Sequence, residues 1–569
     1  MLSALGLVAL LVTAASAQNV AAPTQVALAP ASAIAAAPGV KPVLVVTFSG
    51  YDRLHEDLEF IGQLSNQPEL ANSLDGIVAL VTKFQGPVGL DKRRPWGVAV
   101  STDGVELQNL GFLPVTDVKK LLALFADSIG NPEELDDSIL KISANGAPVF
   151  IKQDKGWAFI AMSREELANL PADPKAIFGT LTTDYDIGIR ANVQNVPEDY
   201  RNKAIAEIQR GMQSGMERND DETDEQYEAR VKMMQQQVDR LIQMFKELNE
   251  LTIGWAIDGK KRSAYLDVTM TAVPGTKLAQ SAAQTTIVPS RFGGFLIPAA
   301  MANANFAYKE PQDEIENGMA MLKSLRTTLS SGIDDSDDLQ TPEEKVKVKG
   351  LMNQVMDVVE ATFKKGVMDG GAVIDGEGPF TIAGGLGVDG GDKLEAAFKE
   401  SLSMTKGKDA PAIQLNVANH KGVNFHSLKG PWPESEDDDP EQTEQMKAFL
   451  GDELELTAGF SKDSVYIAIG PEGVSTIKKV IDGSAASAKP TVPFQLNIAL
   501  SPIVNFAAEQ DENNPVLGIA ADSLEGGKDK VHITSQVIPN GAMMRMEFEE
   551  GVLKVIGVMI QAAQAGIGR

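Results

Sequence analysis

The sequence predicts an α+β fold in which a module of strand, helical hairpin, strand-turn-strand and short helix recurs in tandem over antiparallel sheets. Three observations carry that expectation. Short apolar segments alternate with period two, as half-buried strands do. Between them lie long polar stretches with apolar residues every three or four positions, the mark of amphipathic helices. The order of these two kinds of segment repeats along the chain, and a repeat governs how every other pattern is read.

The first copy of the module opens with the strand Val43–Phe48 and passes through helices near Tyr51–Leu64 and Pro68–Lys83. It returns as Trp96–Gly104 and closes in a helix over Thr116–Phe125 with Thr116 as N-cap. Such a hydroxyl accepts a bond from a free N–H of the first turn. The second copy starts at Tyr185–Ala191, holds its hairpin between Pro197 and Leu251, returns as Thr252–Gly259 and Ala264–Met270, and ends in a helix over Thr276–Gln284. The third begins within Phe292–Phe306, has helices near Asp313–Leu329 and Glu343–Lys365, and ends with Pro379–Ala383 and Asp392–Leu402. The fourth runs from Pro493–Ala499 through Val531–Ser535 to a helix at Gly551–Ala562.

A smaller unit separates the copies in pairs. Val149–Ala161 followed by a helix from Ser163 parallels Leu456–Ile469 followed by one from Glu472, each with a lysine-containing turn between alternating strands. Two α+β halves follow, at 41–289 and 290–569. In the second hairpin Val231, Met234, Val238, Leu241, Phe245 and Leu248 form one helical stripe, matched by Val348, Met352, Val355 and Val359 in the third. The expected use of such a stripe is packing against the partner helix. Homodimerisation through Val231–Leu248 is the alternative.

Residues 1–17 are an apolar run ending in Ala15-Ser16-Ala17, the small-x-small pattern of signal-peptide cleavage, which places the cut before Gln18. No Lys or Arg precedes Lys41, so the usual basic n-region is missing. Residues 18–40, rich in Ala and Pro, read as a disordered leader. The expected location is the periplasm or the extracellular space, with no stable membrane insertion, because no stretch reaches the roughly 20 apolar residues a span needs.

The 569 residues include no cysteine, which excludes disulfides, thiolate metal sites and cysteine nucleophiles. Formal charge is -27 at pH 7, a surface that repels nucleic acid and anionic lipid and admits cations or basic proteins. This arrangement resembles that of duplicated, exported bacterial proteins of unknown function. The likeness is architectural, rests on no specific motif and transfers no functional residue.

Tests for familiar chemistry return little. An EF-hand loop needs glycine at its sixth position and a carboxylate at its twelfth. From Asp334 those positions hold Leu339 and Lys345, and from Glu436 the sixth is Glu441. The acidic runs at 334–338 and 434–444 therefore read as solvated loops. The histidines are His55, His420, His426 and His532, and the sequence signals no third ligand beside the pair His420 and His426. Gly385-Leu-Gly-Val-Asp-Gly390 fits the dinucleotide fingerprint in form, but Asp389 sets a carboxylate where phosphate must approach. Ser403-Met-Thr-Lys406 and Ser475-Thr-Ile-Lys478 lack the companion motifs of penicillin-recognising enzymes. Trp96 and Trp255 occupy matching repeat strands and read as core, whereas Trp157 and Trp432 read as freer.

No catalytic, cofactor or metal residue is assigned, and no cofactor is expected. The leading expectation is an exported, non-enzymatic envelope or periplasmic protein whose modules form a binding or assembly surface. The alternatives are an envelope polysaccharide or peptide hydrolase using paired carboxylates, and a carrier whose apolar cavity lies between a curved sheet and the helical hairpins.

Overall fold

The computed structural model describes residues 40–565 apart from 65–67, 145, 214–217, 219–223, 337–338, 340, 405–410, 433–439, 487–491, 512–513 and 525. The signal-like segment, nearly all of the leader and parts of both acidic runs lie outside the described residues.

The front part begins with β1 (Lys41–Phe48), α1 (Tyr51–Leu64), α2 (Leu70–Val81), β2 (Trp96–Thr102), β3 (Leu107–Pro114), α3 (Val118–Ala123) and α4 (Ala126–Ile129). A strand group follows, β4 (Glu133–Glu134), β5 (Ile139–Ala144), β6 (Ala147–Asp154) and β7 (Trp157–Ala161), with one-turn helices α5 (Lys175–Phe178) and α6 (Leu181–Asp184). Next come β8 (Ile187–Asn192), α7 (Glu198–Gln213), α8 (Asp224–Glu247), β9 (Leu248–Asp258), β10 (Ser263–Ala272), α9 (Lys277–Gln284) and β11 (Thr286–Ile287).

The back part begins with β12 (Ala302–Lys309), α10 (Gln312–Asp335), α11 (Pro342–Lys364), β13 (Val367–Asp375), β14 (Thr381–Gly387) and α12 (Gly391–Leu402). It continues with β15 (Ala412–His420), β16 (Val423–Gly430), α13 (Pro440–Leu450), β17 (Leu454–Phe460), β18 (Ser464–Ile469) and α14 (Gly473–Ala486). It ends with β19 (Phe494–Ala499), α15 (Leu500–Gln510), α16 (Pro515–Leu524), β20 (Lys530–Ile538), β21 (Gly541–Glu549) and α17 (Glu550–Ala565).

Local chemistry explains the helix starts. Thr341 and Glu344 form a reciprocal capping box ahead of α11, with Pro342 at its first position, where the missing N–H costs nothing. Thr276 caps α9 as expected. The cap of α3 is Asp117, which accepts from the Lys120 N–H, rather than Thr116. The charged carboxylate is the stronger acceptor at a helix N-terminus, and the expected helix breaks at Leu124 into α3 and α4.

All strand pairs are antiparallel and join in one 21-stranded sheet. The α+β class with antiparallel sheets is thus what the chain adopts. From one edge the order runs β4-β5-β6-β7-β3-β2-β1-β8-β9-β10, and there the sheet crosses to the back part as β21-β20-β19-β12-β13-β14-β18-β17-β16-β15. At the crossing, Asp267 of β10 stands opposite Arg545 of β21. The little β11 pairs with the end of β12, so the ladder continues across the expected boundary at 289/290.

Helices cross this midline as well. The terminal helix α17 packs on α1 of the front part, and α9 packs on α10 of the back part. Two separate aromatic and aliphatic cores lie one in each part, the first around Phe112, Trp157, Phe159 and Phe178, the second around Phe292, Phe295, Phe425 and Tyr466.

The two edges of the sheet are blunted differently. At one, β4 is two glutamates long. At the other, β15 loses register with β16 between Gln414 and Ala418, and Asn416 takes the left-handed backbone conformation with φ 56°.

Candidate functional site

The strands at the midline sort their side chains sharply by face. Successive residues of a strand point to opposite sides, and directly opposed residues of antiparallel neighbours share a side. Ile189, Ile253, Val268 and Met544 therefore form one cross-strand row over β8, β9, β10 and β21. Leu266, Met546, Ile533 and Leu496 form the next row over β10, β21, β20 and β19. Every one of these side chains is only half-buried, and none joins the buried core clusters among the described residues.

Helices cover this face at its ends. Phe60, Ile61 and Leu64 of α1 and Leu553 of α17 pack on Ala264, Trp255, Ile257 and Phe548, next to the β9–β10 turn. Helix α9 begins beyond the opposite end of β10 and touches β10, β20 and β21. The aliphatic and methionine rows between them keep part of their surface in water. Contiguous apolar area left in water is, in general, a feature of surfaces that meet ligands or partners. Methionine adds torsional freedom that suits an adaptable binding floor.

The reverse face is polar and internally locked. Arg545 donates from Nε and Nη2 to the two Asp267 oxygens, each at 2.7 Å, and its guanidinium lies 4.2 Å from the Tyr265 ring centre. Tyr185 Oη donates to Asp267 Oδ2 at 3.1 Å, and Tyr265 Oη donates to the Asp184 carbonyl at 2.8 Å. Burial, then the neighbouring Asp267 charge, pushes the Tyr185 hydroxyl well above the ordinary tyrosine range, so it stays a donor. Gly254 makes this possible, because a Cβ there would lie 2.3 Å from the Tyr185 ring.

Helix α1 is fastened to the same strands by charge. Arg53 Nε lies 2.9 Å from Asp186 Oδ1 and 3.7 Å from Asp57 Oδ1, and Asp186 Oδ2 accepts from the Ile257 N–H at 2.7 Å. Asp57 is 7% exposed and its Oδ2 has no hydrogen-bond partner among the described residues. Burial, followed by the adjacent Asp186, raises the Asp57 carboxyl to about 7, against the smaller opposing pull of Arg53.

The residues singled out in the sequence are dispersed. His55 Nε2 lies 3.2 Å from Asp75, which also accepts from Tyr51 Oη at 2.6 Å. His420 pairs with Asp482 at 2.9 Å. His426 is fully buried: its Nδ1 accepts from the Asn416 N–H at 3.1 Å and its Nε2 lies 3.2 Å from Glu395. Burial holds this imidazole below the ordinary histidine range, so both nitrogens are engaged in a neutral structural role. His532 sits between Asn497 at 2.7 Å and Glu549 at 3.1 Å. Among the described residues no three His, Asp or Glu side chains converge on a metal position.

The glycine motif at 385–390 is closed to phosphate. Its backbone donors are taken, Val388 N–H by the Asp463 carbonyl and Asp389 N–H by Thr362 Oγ1, while Asp389 pairs with Lys365 at 2.9 Å. Ser475 Oγ donates to the Glu472 carbonyl at 2.9 Å and Ser403 Oγ to the Glu400 carbonyl at 2.6 Å, and Lys406 lies outside the described residues. Trp96 stacks on Phe48 at 4.4 Å and Trp255 joins the α1–α17 cluster. Trp157 is buried beneath Arg94, contrary to the reading of it as free, because it closes the front aromatic core. Trp432 is half-buried and donates to the Gly451 carbonyl at 2.9 Å.

None of the protein families, characterised proteins or solved structures compared with this chain matches it.

Proposed function

We propose that this chain is an exported, non-enzymatic binding protein that carries a lipophilic ligand on the apolar face of its central strands. One observation carries the reading. Two adjacent cross-strand rows, from Ile189 to Met544 and from Leu266 to Leu496, present aliphatic and methionine side chains that the helices leave half-covered. Export follows from the signal-like pattern at 1–17, and mature material is expected to begin at Gln18. The two parts of the ladder are taken as pseudo-equivalent lobes of a duplicated chain, with the ligand site at their seam. Self-association through α8 belongs to the same proposal, since Leu241 and Met244 are exposed at 42% and 40%.

The test is titration of the folded chain with the environment-sensitive dye 1-N-phenylnaphthylamine. Saturable fluorescence enhancement is expected, and Val268→Glu, which sets a charge on the floor, should abolish it while leaving the circular dichroism spectrum native. Folded wild-type protein that gives no saturable enhancement would overturn the reading.

A hydrolase using paired carboxylates is the second reading, favoured by Asp57 and Asp186 sharing one guanidinium. It requires substrate to reach side chains that are buried. Turnover of an envelope polysaccharide or peptide that disappears in Asp57→Asn would establish it in place of the carrier.

A further inference from the structure

The apolar floor contains one polar side chain. Ser535 of β20 stands opposite Met544, which in turn stands opposite Val268, so its side chain shares the face of the aliphatic rows. Its neighbours on that face of β20 are Ile533 and Val537, both half-buried. Ser535 itself is 1% exposed, and its Oγ has no hydrogen-bond partner among the described residues.

An orphaned hydroxyl in a dry setting is costly, and an alanine or valine would fill the place without that penalty. A hydroxyl carries one donor and two acceptor lone pairs, and a group that only accepts is enough to satisfy its donor. An ester or amide carbonyl at the head of an acyl chain fits that demand, and the hydrocarbon fits the rows on either side. An extended apolar peptide fits poorly. Its backbone N–H groups would lie on Leu, Ile, Val and Met with one oxygen among them, and each unpaired N–H is penalised. Met544, the cross-strand neighbour of Ser535, has a long unbranched side chain that adjusts readily to a ligand beside it.

Resting on the carrier reading above, we propose that the ligand is an acylated lipid whose carbonyl accepts a hydrogen bond from Ser535 Oγ. The hydroxyl sets the depth at which the acyl chain lies along the floor and distinguishes an acyl lipid from a plain hydrocarbon or an alkyl ether.

The experiment uses the full chain loaded with 1-N-phenylnaphthylamine and displaces the dye with 1-palmitoylglycerol or with 1-O-hexadecylglycerol, which has a matched chain but no carbonyl. The wild type should prefer the ester by about 3- to 10-fold, the range of one neutral hydrogen bond. Ser535→Ala should weaken the ester to the level of the ether and leave the ether unchanged, and Ser535→Thr, which keeps the hydroxyl, should restore the preference. Equal displacement by the two lipids in the wild type, or a preference that survives Ser535→Ala, would overturn the assignment. Dye binding that neither lipid displaces would sink the acyl-lipid class and leave the apolar site standing, whereas absence of dye binding would remove both.

Discussion

Arg53 and Asp186 tie α1 to the sheet, and burial beside that pair makes the Asp57 carboxyl hold its proton more tightly than usual. Because the folded chain binds the Asp57 proton more tightly than the unfolded chain does, the stabilisation is complete below the ordinary value of 3.8 and is lost as pH rises through about 7. Asp57→Asn should therefore match the wild type near pH 3.5 and exceed it by on the order of 2 kcal/mol at pH 8.5, read from urea midpoints at both values. The polar seam behaves in the opposite sense. Removing one partner leaves a buried charge without its counter-ion, so Arg545→Met should cost about 2–4 kcal/mol. Asp267→Asn with Arg545→Met should cost less than the sum of the two singles, as a double-mutant cycle would reveal. Gly254→Ala is expected to lose about 1–3 kcal/mol through a steric effect alone, because its methyl group must displace the Tyr185 ring.

The helical hairpins show what a sequence pattern encodes and what it leaves open. In α11 the expected stripe packs as foreseen: Met352 meets Leu322 of α10, while Val355 joins the cluster under α12. In α8 the expected stripe holds at Val238, buried at 2%, and departs at one place, where Ile242 is buried at 7% and Leu241 is exposed at 42%. Both are large aliphatics, so periodicity alone cannot choose between them; the choice belongs to the helices packed against α8, among them α10, where Arg240 meets Glu314 at 2.6 Å. Strand spacing was equally legible in β9 and β10, where Ser263, Tyr265, Asp267 and Thr269 alternate with Ala264, Leu266, Val268 and Met270. The alternation names an apolar face, but only the placement of α1, α9 and α17 determines that its middle stays half-open. Ser535 was hidden for a related reason, since a lone serine in a strand is unremarkable until its partners are known to be Met544, Ile533 and Val537. At α11 the capping box gives a prediction of its own. Thr341→Ala should cost about 1 kcal/mol and raise amide exchange in the first turn of that helix, with little effect elsewhere.

On the scale of the whole molecule, the front and back parts are joined by the β10–β21 ladder and by helices that lie across the midline, α17 on α1 and α9 on α10. Deleting residues 550–569 should therefore destabilise the front part, measured as faster exchange in α1 and around Trp255, although the deleted helix belongs to the back of the chain. Confinement of the faster exchange to β20 and β21 would show that the crossed packing contributes nothing. The blunted edges of the long ladder have a further consequence. Any sheet with a flat, unprotected margin is a template onto which another molecule can add hydrogen-bonded strands, and a chain with one such margin at each end would polymerise into fibres. Here one margin is a pair of like-charged glutamates and the other is kinked at Asn416, so head-to-tail growth is blocked at both ends. The kink should therefore discourage strand addition at β15, and a variant with β15 straightened is expected to form fibres more readily.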